Sequence, residues 1–292
     1  MDFEEYLIAN DENFLIESIK ECFVNNKPML SLHTKALKYY NSYLLTGGMP
    51  ESVLNLININ GDYIKYDKNI ISNIIESYFD DMKKYIQTQT EALRIRALYE
   101  SLPSQLSNSS HKFQYSKLNT GAKSRDYELP LDWLLSANMV QKVNCVKTIE
   151  KPLKGFEDND TFKLFLSDIG ILNNLLNISI NDILNDNLKI YKGVITENYV
   201  ANQLLANEIP LFYWKNKQNV EVDFLIETKD GIIPIEVKSS DNTQSKSLKI
   251  YNTLFDPPYA IRMSTKDFGY NSETKIKSVP LYATFLIKDL IK

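Results

Sequence analysis

The sequence is poor in the residues that build most metal and redox sites. Two cysteines (Cys22 and Cys145) and two histidines (His33 and His111) lie far apart among 292 residues. A zinc knuckle or a disulfide framework needs such residues clustered, so both are excluded. Without a disulfide framework the reducing cytoplasm is the expected compartment. Nine glycines and ten prolines exclude collagenous and low-complexity chains. No apolar run nears the roughly 18–20 residues of a membrane span, so no membrane partner is expected. The opening M-D-F-E-E is acidic where a secretory signal would be basic and then apolar. A phosphate-binding loop of the form G-x-x-x-x-G-K-[ST] is also missing. The nearest approach, Gly121-Ala122-Lys123-Ser124, lacks both of its glycines at the required places, so no ATP site is expected.

What remains is an ordinary globular composition, 43% hydrophobic and 24% charged, at 33.8 kDa. That size suits two or three domains. The net charge of −4 is unevenly spread. Residues 1–82 carry six Lys/Arg against thirteen Asp/Glu, residues 83–154 twelve against six, and residues 156–292 fifteen against eighteen. A basic middle between acidic flanks is the asymmetry expected of a nucleic-acid surface, although a solvated basic face produces it too.

Three regions follow from the patterning. Residues 1–82 read as helices, with Asp11 and Ser31 as caps, a stop at Gly47-Gly48, and a long helix over 67–86. Residues 83–176 read as a helix from Thr90 to Pro103, a polar stretch at 107–110, a basic turn at 119–124, a helix over 126–137, and strands over 140–146 and 161–166. Helices followed by a two-stranded ribbon are the order of a winged helix. The helix over 126–137 offers few base-reading groups, so Lys117, Lys123, Arg125, Lys142 and Lys147 are the expected DNA contacts, to phosphate. Residues 177–292 read as a helix over 191–207, strands over 211–214, 220–227 and 232–238, a helix over 245–254 and a strand over 259–263. The strands before and after Thr228-Lys229-Asp230-Gly231 form an antiparallel hairpin, giving a mixed-sheet α/β unit.

That hairpin carries the chemistry. Strand alternation puts Glu236 and Lys238 on one side and Ile235 and Val237 on the other. A short hairpin brings Asp223 beside them, provided that its register faces the same way. Two carboxylates converging with one ammonium suit Mg²⁺ or Mn²⁺, a hard cation with oxygen ligands. The metal would acidify a bound water and polarise a phosphodiester, and Lys238 would assist that water. Glu197, on the preceding helix, would hold the metal's water or a second metal. The bland alternative is a salt-bridged surface face.

Several segments resemble a known family. E-N-Y-V-A-N-Q-L at 197–204, F-Y-W at 212–214, E-V-D-F-L-I-E at 221–227 and I-E-V-K-S at 235–239 are similar to the C-terminal domain of a large prokaryotic AAA+ ATPase family. Y-L-L-T-G-G-M-P-E at 43–51 resembles the segment that follows the ATPase lid, and residues 1–7 the run before it. L-P-S-Q-L at 102–106, K-F at 112–113 and L-D-W-L at 131–134 resemble its winged-helix part. The resemblance implies an α+β chain in three parts: a helical region (1–82) like the lid and linker, a winged-helix domain (83–176), and a PD-(D/E)XK, restriction-endonuclease-like domain (177–292). It implies a Mg²⁺-dependent DNA nuclease, with Asp223 and Glu236 on the metal and Lys238 and Glu197 catalytic. With no ATPase core in this chain, the ATPase would act in cis from a longer protein or in trans. Two alternatives stand beside that reading: a catalytically inactive nuclease-fold module that binds DNA or protein, and a winged-helix regulator.

Overall fold

The computed structural model describes residues 1–86, 88–108, 112–118, 121–239 and 245–291. The end of the polar stretch at 107–110 and the first two residues of the basic turn, Asn119-Thr120, lie outside the described residues. The acidic N-terminal third is helical: α1 (Phe3–Ala9), α2 (Asn13–Asn25), α3 (Ser31–Thr46), α4 (Pro50–Asn58) and α5 (Asn69–Met82). α1 begins with a capping box, in which the Asp2 side chain accepts from the Glu5 N–H and the Glu5 side chain accepts from the Asp2 N–H.

The expected caps at Asp11 and Ser31 are corrected. Asp11 takes a left-handed conformation (φ 59°) in the turn between α1 and α2. The cap position falls to Glu12, whose carboxylate is drawn away to Lys35 at 2.6 Å and Tyr39 at 2.6 Å. Ser31 is already the first helical residue of α3. The N–H groups of Met29 and Leu30 just before it donate to the Asp267 carboxylate, from 238 and 237 residues away. Gly47 ends α3 as expected (φ 63°). A side chain there would drive a Cβ to 2.1 Å from Asp168 Oδ1, so close approach as well as backbone conformation requires glycine.

The basic middle holds α6 (Gln89–Leu106), α7 (Glu128–Ser136), and the strands β1 (Val140–Val146) and β2 (Glu157–Leu166), followed by α8 (Ile169–Leu175) and α9 (Ile180–Leu184). The last third holds α10 (Lys192–Ala206), β3 (Phe212–Lys215), β4 (Glu221–Thr228), β5 (Gly231–Val237), α11 (Lys246–Phe255), β6 (Ala260–Ser264), β7 (Gly269–Asn271) and β8 (Ile276–Pro280), and a 3₁₀ helix over Leu281–Leu290. The whole is a mixed α+β fold. Among the described residues eight strands join in one sheet, ordered β2-β1-β3-β4-β5-β6-β8-β7. β1 pairs antiparallel with β2 and parallel with β3, so the ribbon from the basic middle is continuous with the sheet of the last third.

Two apolar clusters hold the layers. The larger runs from Phe3 to Ile287 and includes α10 through Val194, Ile195, Tyr199 and Val200. The smaller packs Leu248 and Tyr251 of α11 on Trp214, Val222, Leu225 and Ala260. Among the described residues no helix is long and apolar enough to cross a membrane.

Candidate functional site

The hairpin β4–β5 closes tighter than its sequence suggests. Its ladder runs from Phe224↔Ile235 to Thr228↔Gly231, leaving a two-residue link, Lys229-Asp230. This register carries Asp223 one step past the Phe224↔Ile235 pair, opposite Glu236. There the ladder opens. The Asp223 Oδ2 accepts a 2.7 Å hydrogen bond from the Val237 N–H, so a carboxylate stands where a strand carbonyl would otherwise pair. Ile235 and Val237 pack in the larger cluster, and alternation turns Glu236 and Lys238 away from it.

Each site carboxylate meets a cation or an N–H group, and the arrangement is asymmetric. Lys238 Nζ lies 2.6 Å from Glu236 Oε1. Glu236 is only 3% exposed, and it also takes a hydrogen bond from the Ser245 side chain. Glu197 sits on a helix buried from Val194 to Leu204, and an unpaired charge there would be expensive. Lys163 supplies the pairing. It is 0% exposed, and its Nζ lies 2.8 Å from Glu197 Oε1 and 2.6 Å from Glu221 Oε1. The same ammonium stands 4.9 Å from the centre of the Tyr213 ring. Glu221 is also held by Lys215, at 3.0 Å.

The charges couple. Burial pushes the Asp223 carboxyl well above the usual carboxylate range, and the charges of Glu236 and Glu197 push it further, against the pull of Lys163 and the Val237 N–H. Glu236 is raised as well, first by burial, while Lys238 pulls it back. Burial alone would depress the Lys163 ammonium, but the charges of Glu197, Glu221 and Asp223 more than reverse this and keep it protonated.

The donor chemistry fits a hard divalent cation on Asp223 and Glu236. Glu236 contributes a buried carboxylate, and Mg²⁺ commonly uses one or two carboxylates with waters completing its shell. Glu197 gives one of its two oxygens, Oε1, to Lys163. Among the described residues no group of three or more His, Cys, Asp and Glu side chains is gathered for metal binding. A separate cavity of about 530 Å³, lined by Tyr6, Tyr39, Ser42 and Tyr63 among others, touches none of these residues.

The expected phosphate contacts divide into two sets. Lys117, Lys123 and Arg125 are exposed, the first on a 3₁₀ turn over Tyr115–Lys117 and the others on or beside one over Ser124–Asp126. Lys142 is drawn over the Phe162 ring, 4.4 Å from its centre, and Lys147 pairs with Asp158 at 2.8 Å. Lys163 and Glu221 are the site residues that sequence reading passed over. The available signal was one lysine inside the apolar run Phe162-Lys163-Leu164-Phe165-Leu166, where a charge without a partner would not be tolerated.

Residues 192–283 match a domain of unknown function, DUF4143. The chain is 32% identical over 96 residues to uncharacterised proteins of Mycobacterium bovis and Mycobacterium tuberculosis, covering 32% of this chain and 21% of each relative. The chain thus spans only about a fifth of the length of those relatives. No solved structure matches. Residues 37–182 match a second domain of unknown function, DUF8612. Because that match spans half of the sequence and runs from within α3 through α8 with both ribbon strands, the chain belongs to the DUF8612 family.

Proposed function

We propose that the chain is a divalent cation-dependent phosphodiester hydrolase module acting on DNA, built on a PD-(D/E)XK-like sheet with a winged-helix-like middle. The observation that carries this reading is Glu236: a buried carboxylate held by Lys238 and by the Ser245 side chain, opposite a second carboxylate whose ionisation its own charge opposes. Such a perturbed pair marks functional sites more often than structural ones. Asp223 and Glu236 would hold Mg²⁺ or Mn²⁺, which supplies an acidified water and a polarised phosphoryl oxygen when bound. Lys238, a quarter exposed beside Glu236, is placed to orient that water and to balance charge building on phosphorus. Glu197 acts indirectly, by holding Lys163. Lys117, Lys123 and Arg125 are the cations available to hold a DNA backbone, with Lys142 and Lys147 released to it only if their present contacts break. DUF4143 is often found with AAA-type ATPases, and an ATPase core in cis or in trans is the partner that this reading implies.

One observation favours a second reading, a nuclease-like fold that binds DNA or protein without cutting. The inner carboxylates are already neutralised by lysines, as in a site that has replaced metal by ammonium. Calorimetric titration of Mn²⁺ into the wild-type chain and an Asp223→Asn, Glu236→Gln double variant separates the two. The proposal expects binding in the wild type that is lost in the variant, followed by Mg²⁺-dependent nicking of plasmid or branched DNA. Equal or absent binding in both proteins leaves the binding module.

A further inference from the structure

Among the described residues, the ammonium of Lys163 is the one buried cation of the site that comes from outside the last third of the chain. It lies between two carboxylates at 2.6 and 2.8 Å, slightly longer than the oxygen distances of a hard divalent ion. It reaches them from β2, at the edge of the sheet, past the ring of Tyr213. No water reaches it, since the side chain is 0% exposed. Among the described residues, the inner half of the acidic cluster is therefore filled by a cation that cannot dissociate.

We propose that Lys163 is the resident cation of this site: it occupies the place of a second metal ion, limits the site to one divalent ion on Asp223 and Glu236, and makes that site a joint product of the two family-matched segments. The inference rests on the metal-binding reading above. Lys163 lies in the segment 37–182 and its partners Glu197 and Glu221 in the segment 192–283. The segment 192–283 carries Asp223, Glu236 and Lys238, but Glu197 and Glu221 take the Lys163 ammonium from the other segment. Lys163 is a positioning residue, since it touches the carboxylates and not the reacting phosphate.

The test counts metal ions in the full chain. Wild type, Lys163→Met and the charge-balanced Lys163→Met, Glu197→Gln variant are titrated with Mn²⁺ by calorimetry and by Mn²⁺ electron paramagnetic resonance. The wild type is expected to take up one ion. Lys163→Met is expected to take up two, with the spectral broadening of a coupled Mn²⁺ pair, and the double variant is expected to return to one. A Lys163→Met protein that binds one ion with wild-type affinity overturns the inference while leaving the metal-binding reading standing. A wild type that binds none overturns that reading, and this inference with it. If Lys163→Met fails to fold, refolding with and without Mn²⁺ decides: recovery of folded protein only with Mn²⁺ supports a cation role, and no recovery at any Mn²⁺ concentration overturns it.

Discussion

At the scale of single residues the molecule solves one problem repeatedly: what to do with a charge that the fold has buried. Lys163 answers with two carboxylates. Asp168 answers with backbone. Its side chain accepts from the N–H groups of Gly48 and Ile171, capping α8 while tying it to the end of α3. Burial raises the Asp168 carboxyl above its ordinary range, and the N–H donors oppose that shift. A carboxyl raised in the folded state stabilises the fold fully below its unfolded pKa, near 4, and loses that contribution as pH rises through its folded pKa. Asparagine at 168 keeps one acceptor oxygen and does not titrate. Asp168→Asn is therefore expected to cost about 1–3 kcal/mol at acidic pH. The gap to wild type should narrow as pH rises through the folded pKa of Asp168, as read from urea midpoints across pH. A gap that widens with pH would show that ionised Asp168 is the stabilising form.

At the scale of elements, the sheet is clamped by unequal layers. The side bearing α11 depends on few contacts, with Leu248 at 0% exposure packed against Val222, Leu225 and Ala260. Leu248→Ala is expected to cost about 2–5 kcal/mol, measured by thermal or urea unfolding. A loss below about 1 kcal/mol would mean that α11 is a loosely held cover. The elements that were legible in sequence are those with strong local pattern. The hairpin β4–β5 was readable because two runs rich in β-branched and aromatic residues flank a turn sequence, and α10 because its stripe repeats at helical spacing. β7 and β8 were not, since Gly269–Asn271 is only three residues long and the pair Lys277-Ser278 breaks the alternation of Ile276–Pro280. α1 escaped too, although Asp2 and Glu5 carry its capping-box signature. The site divides the same way. Asp223 and Glu236 sit on adjoining strands and Lys238 just past the end of β5, so hairpin geometry alone brings them together. Lys163 meets Glu197 across 34 residues and across the boundary between two apparent domains, and no local pattern encodes that meeting.

At the scale of the whole molecule, one sheet and one main apolar cluster run through segments whose charge and composition look like separate units. Their separation in sequence would suggest independent folding, and their shared strands suggest the opposite. A single cooperative unfolding transition is expected, with calorimetric and van't Hoff enthalpies in agreement and ribbon and hairpin probes coincident. Two resolved transitions would mean that the β1–β3 junction is a contact between separately stable parts.

The strand order also fixes where the sheet stops. β2 is one edge, and it opens on Glu157-Asp158-Asn159-Asp160, with Asn159 and Asp160 exposed. The other edge, β7, is three residues long. An edge that is short or that carries acidic side chains makes a poor template for a foreign strand, because pairing would stack like charges or find too few backbone groups. The broad, strongly apolar interior of this sheet is thereby kept from growing sideways into polymer as protein concentration rises.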